Sequence, residues 1–437
     1  MNKLQKRILL FLISLPLLGF LVYQLPPVKS RLEWRIAVWT EEIRRAINPP
    51  EEIVFVPSAG GSDPQSTEIA AQVTATLGAI LDATATRSSE TTPSPGPTDL
   101  PTEIPTPTIT PTTIPGAVTL TGIRHEYEQW NNCGPVTIGM QLSFWGWQGN
   151  QSVTAPVLKP NPRDKNVGPT ELVEYVQEQT GFEALYRVGG TSELLKQLVA
   201  AGFPTIIEKS LDVQGREDWV GHYSLISGYS DELGRFTTQD SYIMADFPEP
   251  YDKLDGAWRS FNYTFIVTYP AERETELMAI LGPLADWETA NTIALERAEA
   301  EIAALTGQDQ FFAWFNKGSS LVGLGDYTGA AAAYDTTFGV YAGLDPIVRP
   351  WRMIWYQHGP YVAYMQTGRY QDVIELAETA LSTMGEQTVE ETFYWRGLAR
   401  EQLGDLSGAV ADLRMAVELN ANYEEAITEL ARIESDQ

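Results

Sequence analysis

The spacing of apolar and polar positions divides the chain into five stretches. Ile8 to Tyr23 is a charge-free, mainly apolar run behind Lys3, Lys6 and Arg7. With Leu25 and its neighbours it approaches the ~20 residues that a bilayer span needs. The run ends without the small-x-small site of a cleaved signal peptide, so residues 1–27 read as an uncleaved signal anchor. Leu32, Ile36, Trp39 and Ile43 follow at helical spacing among basic residues. They mark 28–56 as a juxtamembrane segment whose amphipathic helix lies on a membrane, pairs with a copy or serves as a spacer. Over 57–117 the periodicity disappears and Thr, Pro, Ser and Ala dominate, a composition that cannot bury a core and predicts a disordered linker.

Regular patterning returns at 118–270. Cys133-Gly134-Pro135 opens an apolar run that meets no breaker before Gly146, and Asn131 and Asn132 are N-cap types. This predicts a buried helix with Cys133 at its mouth, where the helix dipole and free N–H groups favour a thiolate. A Pro-rich loop should follow, then helices over Thr170–Thr180 and Ser192–Ala201 and a strand entered at Gly202–Ile207. His222–Tyr229 and Arg235–Tyr242 flank a turn at Ser230–Gly234 and read as a hairpin. With the turn centred on Glu232, Asp240 lies across from Ser224 and His222 across from Tyr242. His222 and Asp240 then share a face as diagonal neighbours, and a one-residue slip would separate them. Phe261–Tyr269 closes this α+β segment as an aromatic strand.

Residues 275–437 have helical periodicity throughout. Leu324-Gly325-Asp326-Tyr327, Thr367-Gly368-Arg369-Tyr370 and Leu403-Gly404-Asp405-Leu406 each precede an apolar helix, with the glycines at intervals of 43 and 36 residues. Gly318 and Gly397 stand seven before the first and third of these glycines, and Tyr361 takes that place before the second. The pattern resembles tetratricopeptide (TPR) repeats, whose period is about 34 residues. Trp287–Leu305 and Tyr423–Glu434 would be flanking helices. The resemblance implies an all-α repeat domain whose concave surface binds a protein or peptide; a brace packed on the preceding domain is the other reading.

Composition narrows the chemistry. A net charge of −27 without a basic stripe argues against a nucleic-acid partner. One cysteine and three scattered histidines form no metal constellation, and no phosphate-cradling glycine loop is present, so no cofactor is expected. Cys133 has no second cysteine to pair with.

Gln129-x-x-x-Cys133-Gly134-Pro135, Gly221-His222-Tyr223 and Asp240-Ser241-Tyr242 together resemble the double-glycine (bacteriocin-processing-like) cysteine peptidases, which are papain-like in fold. The resemblance covers about 118–270. It implies Cys133 as nucleophile, His222 as general base and acid, and Asp240 as the residue that orients the imidazole. The family's oxyanion glutamine, six before the cysteine, falls on Tyr127, so the role passes to Gln129, or to Asn131 or Asn132. The whole chain thus reads as a membrane-tethered thiol protease with its papain-like and TPR domains on the extracytoplasmic side of the cell membrane. Transpeptidase and amidase variants share the same thioacyl chemistry, and a catalytically weak peptide-binding scaffold is the alternative.

Overall fold

A computed structural model of the chain describes residues 18–25, 54–58, 114–211 and 219–435, with further scattered positions between 5 and 43. Most of the expected anchor, and the expected linker from 59 to 113, lie outside the described residues. Among the described residues no helix is long and apolar enough to cross a membrane.

Among the described residues, seven antiparallel strands form one sheet: β1 (Ala117–Thr119), β2 (Glu183–Arg187), β3 (Thr205–Ser210), β4 (Gly221–Ser230), β5 (Arg235–Gln239), β6 (Phe247–Pro250) and β7 (Phe265–Tyr269). The order is β2-β7-β3-β4-β5-β6, with β1 added on β4. Ala117, at the end of the span expected to be linker, already pairs with Ser230. Successive residues on the central strands enter opposite cores, as a sheet covered on both faces requires. Ile206, Leu225 and Ile266 pack with Val136, Ile138, Met140 and Leu142 of helix α1 (Cys133–Phe144). Ile207, Ile226 and Phe265 face Leu194, Leu195, Leu198 and Trp258 on the other side. The Gln141 amide, inside α1, donates to the carbonyls of Pro204 (2.8 Å) and Ile266 (3.0 Å), fixing the helix on the sheet.

The stretch after α1 is not a plain loop. Residues Gln151–Leu158 form helix α2 despite Pro156 within it. Asn150 caps it by accepting from the Ser152 N–H (2.9 Å), and Gln151, Thr154 and Leu158 are its buried face. Helix α3 (Pro169–Gln179), α4 (Ser192–Ala200) and α5 (Tyr251–Arg259) complete this region.

The hairpin has a more particular register than the symmetric one expected. Next to the turn, Ser230 pairs with Arg235 and Gly228 with Thr237; beyond a bulge at Ser227, Ile226 pairs with Thr238 and Leu225 with Gln239. Without that extra residue, His222 and Asp240 would fall on opposite faces.

The C-terminal helices stack as antiparallel pairs. After α6 (Glu274–Leu281) and α7 (Trp287–Ala304), the pairs are α8 (Gly307–Gly323) with α9 (Tyr327–Gly343), α10 (Gly359–Gln366) with α11 (Tyr370–Ser382), and α12 (Glu390–Gln402) with α13 (Leu406–Leu419); α14 (Glu424–Ser435) ends the array. Each turn glycine is left-handed: φ is 78° at Gly325, 73° at Gly368 and 85° at Gly404. A Cβ on Gly318 would lie 2.6 Å from the Tyr334 ring, so that glycine is what lets α8 and α9 close up. Phe55, within the segment expected to be amphipathic helix, is not helical and inserts beside Phe338 (4.9 Å) and Tyr364 (6.3 Å). Aromatic burial there outweighs continuation of the helix.

The helical region packs directly on the sheet region. Asn316 donates to the Arg259 carbonyl (2.7 Å), Asn262 to Ser320 Oγ (3.0 Å) and Gln357 to the Ser260 carbonyl (2.9 Å). Trp219 stacks on Phe261 and edges onto Tyr356 in the same seam.

Candidate active site

Cys133 is the first residue of α1, partly exposed, with its N–H in the turn where helical donors lack intrahelical acceptors. Its approach is a built loop. Asn131 is left-handed (φ 48°) and donates through Nδ2 to the Asp164 carbonyl (3.1 Å). The Asn132 side chain does not cap the helix; its Nδ2 donates to Gln151 Oε1 (3.1 Å). The same Gln151 oxygen accepts from the Gln129 N–H (2.9 Å), while Gln151 Nε2 donates to Glu126 Oε1 (2.7 Å) and the Tyr127 carbonyl (2.8 Å). Lys159, buried just after α2, donates to the carbonyls of Trp130 (2.8 Å) and Asn131 (3.1 Å).

His222 is buried near the start of β4 and Asp240 just past the end of β5. His222 Nε2 lies 3.2 Å from Asp240 Oδ2. Asp240 is itself held by Ser224 Oγ (2.9 Å) on Oδ2 and by the N–H groups of Tyr242 (2.9 Å) and Ile243 (2.8 Å) on Oδ1. The diagonal His–Asp contact expected from the hairpin is therefore present. His125 uses Nε2 on the Asp240 backbone carbonyl (3.0 Å).

Sequence reasoning missed Glu128. It is buried, accepts from Ser241 Oγ (2.7 Å), and places Oε2 4.0 Å from His222 Nδ1. Gln129 beside it is exposed. Burial strips water from the Glu128 carboxyl and raises it above the usual range, against the pull of His222 and Ser241. Burial alone would lower His222; the Asp240 charge and hydrogen bond, an interaction with Cys133 and the Glu128 charge outweigh it and hold the imidazole well above its ordinary value. Asp240, which burial would raise, is kept well below the carboxylate range by the imidazolium. Among the described residues no group of three or more acidic, His or Cys side chains could hold a metal ion.

These elements match known families. A family described as "Peptidase_C39 like family" matches residues 123–265, and "Tetratricopeptide repeat" matches 390–429. No curated protein matches the chain. Among solved structures, a chain described as a C39-like peptidase from Bacillus anthracis is similar over 35% of this chain and 96% of its own, at 17% identity and a TM-score of 0.29. Residues 123–265 are a Peptidase_C39-like domain, and a tetratricopeptide repeat follows it at 390–429.

Proposed function

We propose that the chain is a cysteine peptidase acting through Cys133, His222 and Asp240. The observation that carries this reading is the buried His222 imidazole held by Asp240, in a domain whose single cysteine opens helix α1. In the cycle, the Cys133 thiolate forms an S–C bond to a peptide carbonyl. His222 protonates the departing amine as the C–N bond breaks, and then takes a proton from the water that releases the acyl group and regenerates the thiol. Asp240 keeps the ring oriented and supports its positive charge. Peptide N–H groups at the mouth of α1 can receive the oxyanion. A role there for Gln129 requires its exposed side chain to turn inward; Asn131 and Asn132 are already engaged elsewhere.

The repeats supply a surface for a protein or peptide, and the apolar N-terminal run supports a membrane tether with the domains outside the cell. The exposed position of Gln129 favours, as a second reading, a peptide-binding module of low turnover. Incubation with a peptide library separates the two. Hydrolysis that disappears in Cys133→Ala and His222→Ala supports the peptidase, and binding without cleavage by the wild type overturns it.

A further inference from the structure

Lys159 is a buried cation that nothing in the proposed acyl transfer uses. Lys159 is 3% exposed, and its ammonium donates to the two carbonyls that lead into the nucleophile's helix, at 2.8 and 3.1 Å. One of those carbonyls belongs to left-handed Asn131, a conformation that needs outside support in a non-glycine residue. Burying an ammonium is expensive unless it is paired and hydrogen-bonded. The groups facing it are Asp164, Cys133, Glu128 and the like-charged Lys165, with Glu390 of the helical region beyond. Asp164 also accepts from Asn131, so one short segment, 159–164, holds the approach to Cys133 from below.

We propose that Lys159 is a positioning residue for Cys133, fixing the 130–131 turn through its carbonyls and lending the thiol a positive charge. The proposal rests on the peptidase reading for its purpose, but its physics concerns the thiol alone. A cation close to a thiol favours the anion, which is the nucleophile. Burial pulls Lys159 down to about 8, with Asp164, Cys133 and Glu128 pulling the other way, so the charge is present at neutral pH and fades in mild alkali. The segment is also gripped by the repeats: Arg163 pairs with Glu386 (2.6 Å), and Thr388 Oγ1 donates to the Arg163 carbonyl (2.8 Å). The helical region thereby reaches the nucleophile's loop without touching the thiol.

Because the chain has one cysteine, iodoacetamide reports Cys133 directly. Full-length wild type, Lys159→Met and Lys159→Arg are alkylated at pH 6 and pH 8, with thermal unfolding of each as a check on folding. Lys159→Met should lower the pH 6 to pH 8 rate ratio by about threefold or more, and Lys159→Arg should restore it. An unchanged ratio in folded Lys159→Met overturns the proposal. If Lys159→Met does not fold, Lys159→Gln decides: a lowered ratio supports the role, and a wild-type ratio refutes it. Peptide hydrolysis by the wild type is measured separately. Its absence would refute the peptidase reading and leave the alkylation result to judge Lys159.

Discussion

The sheet region and the helical region each carry a histidine with buried ring nitrogen, and they treat it in opposite ways. His222 meets Asp240 at 3.2 Å and is held above its ordinary value. His358, at the start of α10, has Nε2 buried without a hydrogen-bond partner, and burial pulls it down to about 4. The same contrast runs through the acids. In the helical region, Asp412 is gripped by Arg396 (2.7 Å) and Arg400 (2.7 Å), and Arg369 joins Asp335 (2.8 Å) to Asp372 (2.6 Å). Those charges are neutralised by their partners and lock helices together. In the sheet region, by contrast, Glu128, Asp240, His222 and Lys159 are buried with their proton affinities displaced. Buried charge serves cohesion in one region and poised chemistry in the other.

The sharpest way to break this contrast is to remove each histidine in turn. His222→Ala should lower peptide hydrolysis by about 10³-fold or more, since it removes general acid–base assistance and the thiol's partner together. His358→Ala should leave turnover within about twofold. Equal losses would show that both rings are structural.

Removing an acid gives the converse. Asp412→Ala strands two partly buried arginines and should cost about 3 kcal/mol of stability by chemical denaturation, with Cys133 alkylation unaffected. Asp240→Asn should slow alkylation at pH 6 by about tenfold, because the imidazolium loses its anionic partner. A fall in stability without a change in alkylation would place Asp240 with the structural acids.

The dependence of stability on pH is the next test. Burial, with neighbouring carboxylates, pushes Glu171 up to about 8, and it raises Asp164, Glu390 and Glu391 where α3 and α12 approach each other. Unfolded carboxyls titrate near 4.3. Between these values the folded chain holds more protons than the unfolded chain, so stability falls as pH rises through that interval. Raised His222 acts in the same direction, while the lowered Lys159 opposes it only above about pH 8. The unfolding temperature should be higher at pH 5 than at pH 7.5 by about 5 °C, and Glu171→Gln should flatten the difference.

The smallest effect concerns Glu128. Its charge is the smallest of the named pulls that raise His222, so Glu128→Gln should change alkylation at pH 6 by less than about twofold. A large slowing there would mean that an ionised Glu128 sustains the imidazolium.

Much of this contrast was legible in the residues. The apolar run after Cys133-Gly134-Pro135 has no alternative to a buried helix, and the repeated Gly-Asp steps before Tyr327 and Leu406 carry their own turn and cap chemistry: Asp326 and Asp405 accept from the N–H groups of Gly329 and Gly408. The hairpin brought His222 to Asp240 by alternation alone, yet the bulge that makes the alternation work, at Ser227, has no signal in a run of strand-forming residues. Helix α2 was hidden by Pro156, and the support that Gln151 and Lys159 give the nucleophile's loop depends on tertiary contacts across about 20 to 30 positions of chain. Glu128 reads as one more acid in an acidic protein; only burial beside an imidazole distinguishes it. Phe55 was likewise invisible, because its partners Phe338 and Tyr364 lie in a distant repeat.

The most direct measurement is the rate of Cys133 alkylation as a function of pH, in the wild type and in His222→Ala. The account predicts a wild-type rate at pH 6 within about threefold of that at pH 8, and a fall of about a hundredfold over the same interval once the imidazole is gone. A wild-type profile that already falls a hundredfold, unchanged by His222→Ala, would contradict it.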